Sequence, residues 1–348
     1  MTRVLLIAIS VIVLIMPSAA EADKPFHGVA AFSYFHIAAP LESLSNLTYE
    51  HFIIHLDEMA DGSAHALTPR ELLERIKSGT SVPNEVFLTF EGGYDDFYKT
   101  AYPALKERDL PAIVFLPVDM IGAQPGYMTW PQIAKIDDEN SRVIFGISGC
   151  FHTDMTQMTK NELSGCLNRA IGQFKDKLGY RPKYFSLPYG IYDRTLLETL
   201  KVYNFDLIFG QASGVIPLKS TPPVLPRFPM TEPFGDPDRF LMIAGAGSIP
   251  AHNVNPPTAL ISNSENPPLV GFNVVSEITD LDQLHCFVSR QGRVNTELIG
   301  INRIEIRLKE KLQPGRHRLN CTLNHRTGDN HSPQMRWWGK ILYIPEKR

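Results

Sequence analysis

Glu91 ends a dense apolar run, Val86-Phe87-Leu88-Thr89-Phe90, and is followed by Gly92-Gly93. A run too apolar to alternate is what a strand covered on both faces requires, and paired glycines permit a sharp turn after it. A helix carrying Phe97, Ala101 and Leu105 comes next, and Pro111 opens another apolar run, so the spacing predicts a βαβ crossover in a parallel sheet. Chemistry in such sheets sits at the carboxyl ends of strands, which is where Glu91, Gly92 and Gly93 fall. Two more strand ends carry groups of interest: Ser148-Gly149-Cys150-Phe151-His152 after a run over 142–148, and Pro188-Tyr189-Gly190 after 183–187. A carboxylate can serve as a general base, and carboxylate and imidazole both suit zinc.

These three segments, in this order, resemble the motifs of the NodB-homology polysaccharide deacetylases, carbohydrate esterase family four. The first motif of that family reads Thr-Phe-Asp-Asp-Gly-Tyr, with the first Asp as catalytic base and the second as metal ligand. Here Thr89, Phe90, Gly93 and Tyr94 match, while Glu91 replaces the base and Gly92 the ligand. The second motif is a pair of metal-binding histidines four apart; its second falls on His152 and its first on Ser148. The third, Arg-x-Pro-Tyr-Gly, keeps Pro188, Tyr189 and Gly190 but has Ser186 in place of the Arg that steadies the base. By resemblance the Tyr189 backbone amide stands at the oxyanion position, and Tyr94, Phe151, Pro188 and Gly190 line the substrate cleft. No histidine after this point takes the place of the family's late general acid.

The resemblance implies an irregular (β/α) barrel of the deacetylase type and, with these replacements, an impaired site. Metal-assisted amide hydrolysis needs about three protein ligands with an open position for water, a base and oxyanion donors. Only His152 survives of the ligand set, so the expected cofactor is none, or a weakly bound divalent metal such as zinc. Glu91 is one methylene longer than Asp and is expected to lack an arginine partner, which misplaces a base worth roughly 10² to 10⁴ in rate. The alternative is an active amide hydrolase with a rearranged site, in which Glu91 turns ligand and joins His152 with His36 or Asp95. Asp95 and Asp96 also read simply as first-turn carboxylates favoured by a helix dipole, and His36, flanked by Phe35 and Ile37, as a packed histidine.

The elements that would position these groups are legible locally. Thr68-Pro69-Arg70-Glu71 is a capping box that starts one helix, Thr129-Trp130-Pro131 caps a second, and Thr159 begins a long amphipathic helix stopped by Gly179. Asp193 caps a further helix. Alternating strands and helices predict the barrel over 27–245. Residues 246–268, rich in Pro, Asn, Ser and Ala without periodicity, predict a linker. Short alternating runs over 269–348 predict an all-β sandwich-like module. Trp337-Trp338 near its end could stack on sugar rings, or one Trp could fill the module's core while its neighbour points the other way.

Arg3, the apolar run Val4–Met16 and Ala20-Glu21-Ala22 together predict a signal peptide over residues 1–22, too short in its apolar part for a membrane anchor of about twenty residues. The expected setting is therefore exported, periplasmic or secreted, with no membrane partner after cleavage. Four cysteines in an exported chain allow two disulfides, and sequence order favours Cys150 with Cys166 and Cys286 with Cys321 among three connectivities. Cys150, close to His152, could alternatively be a thiolate ligand. A net charge of -3 with no basic stripe gives no case for nucleic acid. The expected partner is a cell-envelope or exported polysaccharide.

Overall fold

The computed structural model describes residues 28–39, 43–139, 142–151, 153–276, 278, 280–325 and 334–346. The expected signal peptide and His152 lie outside them. Seven parallel strands form the first sheet: β1 (Ala30–Tyr34), β2 (Glu85–Glu91), β3 (Ala112–Leu116), β4 (Val143–Ile147), β5 (Tyr184–Ser186), β6 (Leu207–Phe209) and β7 (Phe228–Met230). Their spatial order is β7-β1-β2-β3-β4-β5-β6, and the short segment His65–Ala66 adds to the start of β2. The two ends approach each other because one segment serves both: Leu225 bridges to Phe209, and three residues on β7 pairs with β1. This is the irregular (β/α) barrel expected.

Alternation along β2 sorts its side chains between two apolar layers. Val86, Leu88 and Phe90 point out into the layer shared with the helices, while Phe87 joins Ala31, Ile113, Phe115 and Phe209 inside the barrel. Among the described residues seven α-helices cover the outside: α1 (Tyr49–Ala60), α2 (Pro69–Ser78), α3 (Tyr102–Glu107), α4 (Trp130–Asp138), α5 (Lys160–Leu178), α6 (Arg194–Val202) and α7 (Pro237–Ala244). Capping boxes at Thr68, Thr129 and Thr159, a side-chain cap at Asp193 and a left-handed Gly179 set their ends as the sequence predicts.

The second sheet is all-β and mixed. It comprises β8 (Gly247–Ser248), β9 (Ala251–Asn255), β10 (Val270–Val274), β11 (His285–Val288), β12 (Gly292–Ile299), β13 (Arg303–Arg307), β14 (Gly315–His325) and β15 (Gln334–Ile344). The order is β8-β15-β14-β11-β12-β13-β10-β9. Strand β12 pairs with β11 through Val294 and with β13 from Asn295 onward, so it carries the sheet from one half to the other around a shared apolar core. The segment expected as a linker is thus not free chain: it supplies β8 and β9, the two outer strands, and the Ala259 amide donates to the Tyr192 carbonyl. It lacks periodicity because β9, an edge strand, is only partly covered along its length.

Both favoured disulfides are present. Cys150–Cys166 ties the loop after β4 to α5, and Cys286–Cys321 joins residues directly opposed on β11 and β14. Cys150 is therefore not a thiolate ligand. In the chain-entropy picture each bridge stabilises by about 3 kcal/mol or more. Among the described residues no helix is long and apolar enough to cross a membrane.

Under α1 the His55 imidazole is fully buried, with Nδ1 3.1 Å from the Tyr34 hydroxyl and its ring 4.5 Å from that of Phe240. Burial pushes it down to about 4 from 6.5. The unfolded chain takes up a proton near pH 6.5 and the folded chain does not until about pH 4, so this contribution is present above pH 6.5 and lost as pH falls towards 4. Urea titrations at pH 7 and pH 4.5 should show a loss of about 2–3 kcal/mol that a His55→Gln variant lacks; equal losses in both chains would show that His55 is not the group responsible.

Candidate functional site

Glu91 is the last residue of β2, and its inward register puts its side chain at the carboxyl end of the barrel interior, 2% exposed. Gly92 and Gly93 then turn the chain with φ of 90° and 60°. Left-handed geometry explains glycine here, and space explains it at Gly92 as well: an added Cβ would run into the ring carbons of Tyr94. The ring of Tyr94 therefore fills the room in which the side chain of a residue at 92 would stand. Its other neighbours continue an aromatic row, with the His36 ring stacked at 3.8 Å and the Tyr127 ring at 5.2 Å.

The Glu91 carboxylate does have an arginine partner, which corrects the expectation from Ser186. Arg227, fully buried just before β7, places Nη1 2.6 Å from Glu91 Oε1. The same guanidinium donates through Nε to the Gly210 carbonyl at 2.8 Å, through Nη1 to Thr89 Oγ1 at 3.1 Å and through Nη2 to Ser186 Oγ at 2.8 Å. Ser186 in turn donates to Glu91 Oε1 at 2.5 Å. Phe115 and Phe209 each hold a ring 5.4 Å from the guanidinium carbon. Burial pushes Arg227 below the usual arginine range, and the Glu91 charge opposes that shift. Ser186 thus relays between two charges rather than replacing one. The one sequence signal for Arg227 was a single cation set between Leu225-Pro226 and Phe228 in an otherwise apolar stretch.

Glu91 Oε2 and the hydroxyl of Ser148 are both buried without a partner. Ser148 follows β4, its amide donating to the Leu116 carbonyl at 2.9 Å. Phe151, on the same loop, is 46% exposed and lies over the Arg169 guanidinium. Tyr189 adopts a left-handed φ of 57° and is 37% exposed, while Pro188 and Gly190 are buried beside it. Its carbonyl accepts from Arg316 Nη1 of β14 at 2.9 Å, and the same nitrogen donates to Gln211 Oε1.

A metal does not fit the described donors. Position 92 has no side chain, the Tyr94 ring stands where one would begin, and position 148 offers a hydroxyl. Of the groups that would rebuild a site, Asp95 pairs with Lys99 and Gln132 and Glu91 with Arg227, while His36 gives one ring nitrogen, Nδ1, to Asp96 Oδ2 at 2.6 Å. Among the described residues no three His, Cys, Asp or Glu side chains converge. Trp337 sets its ring edge-on to Phe228 of the barrel at 5.1 Å, and Trp338, facing the opposite way, packs on Phe272 of the module at 4.2 Å. The two rings do not form one platform.

Residues 78–208 match the polysaccharide deacetylase family model, a span that contains all three motif frames. Over that span the chain is similar to a polysaccharide deacetylase domain. Among solved structures, a deacetylase of Streptococcus pyogenes in complex with acetate aligns at a TM-score of 0.58 and 19% identity, over 64% of this chain and 99% of that one. IcaB from Ammonifex degensii aligns at 0.55 and 22%, over 63% and 98%. A Bacillus cereus polysaccharide deacetylase aligns at 0.54 and 17%, over 63% and 69%. At these identities the likeness is one of fold. No curated protein matches the sequence.

Removing one member of a buried ion pair leaves a charge uncompensated and costs about 3–5 kcal/mol, whereas neutralising both can be nearly neutral. In this barrel Arg227→Met should lose stability on that scale in urea denaturation, and Glu91→Gln combined with Arg227→Met should recover part of it. An additive double variant would mean that the two charges do not act as a pair.

Proposed function

We propose that this polysaccharide deacetylase-family chain is an exported, catalytically impaired member that binds a cell-envelope glycan in the cleft where its relatives' chemistry would sit. The observation that carries this reading is the Tyr94 ring over Gly92: the place of a metal-binding carboxylate is taken by an aromatic face. Two of the three ligand positions, Gly92 and Ser148, cannot hold zinc, and the buried Glu91 carboxylate is committed to Arg227 and Ser186. What remains is suited to binding. His36, Tyr94 and Tyr127 form a row of rings, Phe151 and Tyr189 are exposed, and sugar rings present apolar C–H faces that pack on such surfaces. Two disulfides support an oxidising, exported setting.

Equilibration with zinc followed by mass spectrometry of the metal should give far less than one zinc per chain, in the parent and in His152→Ala alike. Acetate release from acetylated amino-sugar polymers should be undetectable. Calorimetry with N-acetylglucosamine oligosaccharides or peptidoglycan fragments should show binding that Tyr94→Ala weakens about tenfold, equivalent to about 1.4 kcal/mol. One zinc per chain that is lost in His152→Ala, together with acetate release, would instead establish an active, rebuilt site.

A further inference from the structure

A further feature lies away from the cleft. A cavity of about 510 Å³ opens between the barrel loop over 210–226, the edge strand β9 and the strand β15. Its wall is largely apolar, built from prolines of the loop together with Tyr192 and Trp338, and it includes Gln211, His252 and Lys340. Lys340 is the anomaly. It stands opposite Leu319 on β14 and is only 6% exposed. Among the described residues no carboxylate pairs with it, and burial alone pushes its ammonium down to about 7. His252 contributes a second polar atom without a partner, its buried Nδ1.

An ammonium taken out of water without a counter-charge is strongly disfavoured, and groups perturbed in this way in a cleft cluster at functional sites. One lysine matches one negative charge. The aromatic and proline walls match a ring-shaped, weakly polar body, and a few convergent polar groups in an apolar pocket are the general form of a small-ligand site. The volume suits a single sugar unit or two.

We propose that this cavity is a second binding site, for a carboxylate-bearing sugar unit such as a uronate. Lys340 takes the carboxylate, His252 Nδ1 pairs with a hydroxyl, and Trp338 covers the ring face. The site is distinct from the barrel cleft and goes beyond the reading of that cleft.

The test is calorimetric titration of the intact protein at pH 6.5 with sodium glucuronate, glucose and sodium acetate. Glucuronate should bind at least tenfold more tightly than glucose, which lacks the charge, and than acetate, which lacks the ring. Lys340→Met keeps the stem and removes the charge; it should unfold at the same temperature or higher and bind glucuronate at least tenfold more weakly. His252→Ala should weaken binding severalfold, and decides the matter by itself if the lysine variant does not fold. Equal affinity for glucose and glucuronate, equal affinity for acetate and glucuronate, or unchanged glucuronate binding in either variant would overturn the proposal.

Discussion

Everything at the mouth of the barrel depends on one buried ion pair. Glu91 comes from β2 and Arg227 from the segment that closes the sheet between β6 and β7, so their contact joins the start of the parallel array to its closure. Ser186 and Thr89 fill the remaining hydrogen-bonding positions, and the Gly210 carbonyl takes the last described guanidinium donor. A pair this enclosed is tolerable only because nearly all its polar atoms are matched. The exception is Glu91 Oε2, which is buried without a hydrogen-bond partner.

The fold was legible wherever the signal was local. Thr68, Thr129, Thr159 and Asp193 each cap their helices as their side chains predict, because a cap is decided by three or four neighbouring residues. The three motif frames were legible for the same reason. Arg227 was not, since nothing near it in sequence says that it meets Glu91; only closure of the barrel brings them together. Strand β12 is the hardest of the module's strands to read, because Asn295, Thr296 and Glu297 blur its alternation where it changes partner midway. Residues 251–255 read as linker because an edge strand half in solvent needs no apolar rhythm.

Nor could the sequence show how the two parts meet. Arg316 reaches from β14 to the Tyr189 carbonyl and to Gln211, fixing the left-handed turn that borders the cleft. Burial pushes this arginine down to about 10, as expected of a cation enclosed at such a junction. The geometry of the third motif in this chain is thus held partly by residues that lie outside the span matched to the family.

Strand β15 is the wall common to both parts. Trp337 faces the barrel, Gly339 sits against the Ser213 carbonyl where any Cβ would collide, and Trp338 and Lys340 face the other way. A strand with obligations on both faces cannot drift in sequence on either one without the partner layer answering. Exchanging the β-module for another would therefore mean rebuilding the barrel face against which Trp337 and Gly339 pack.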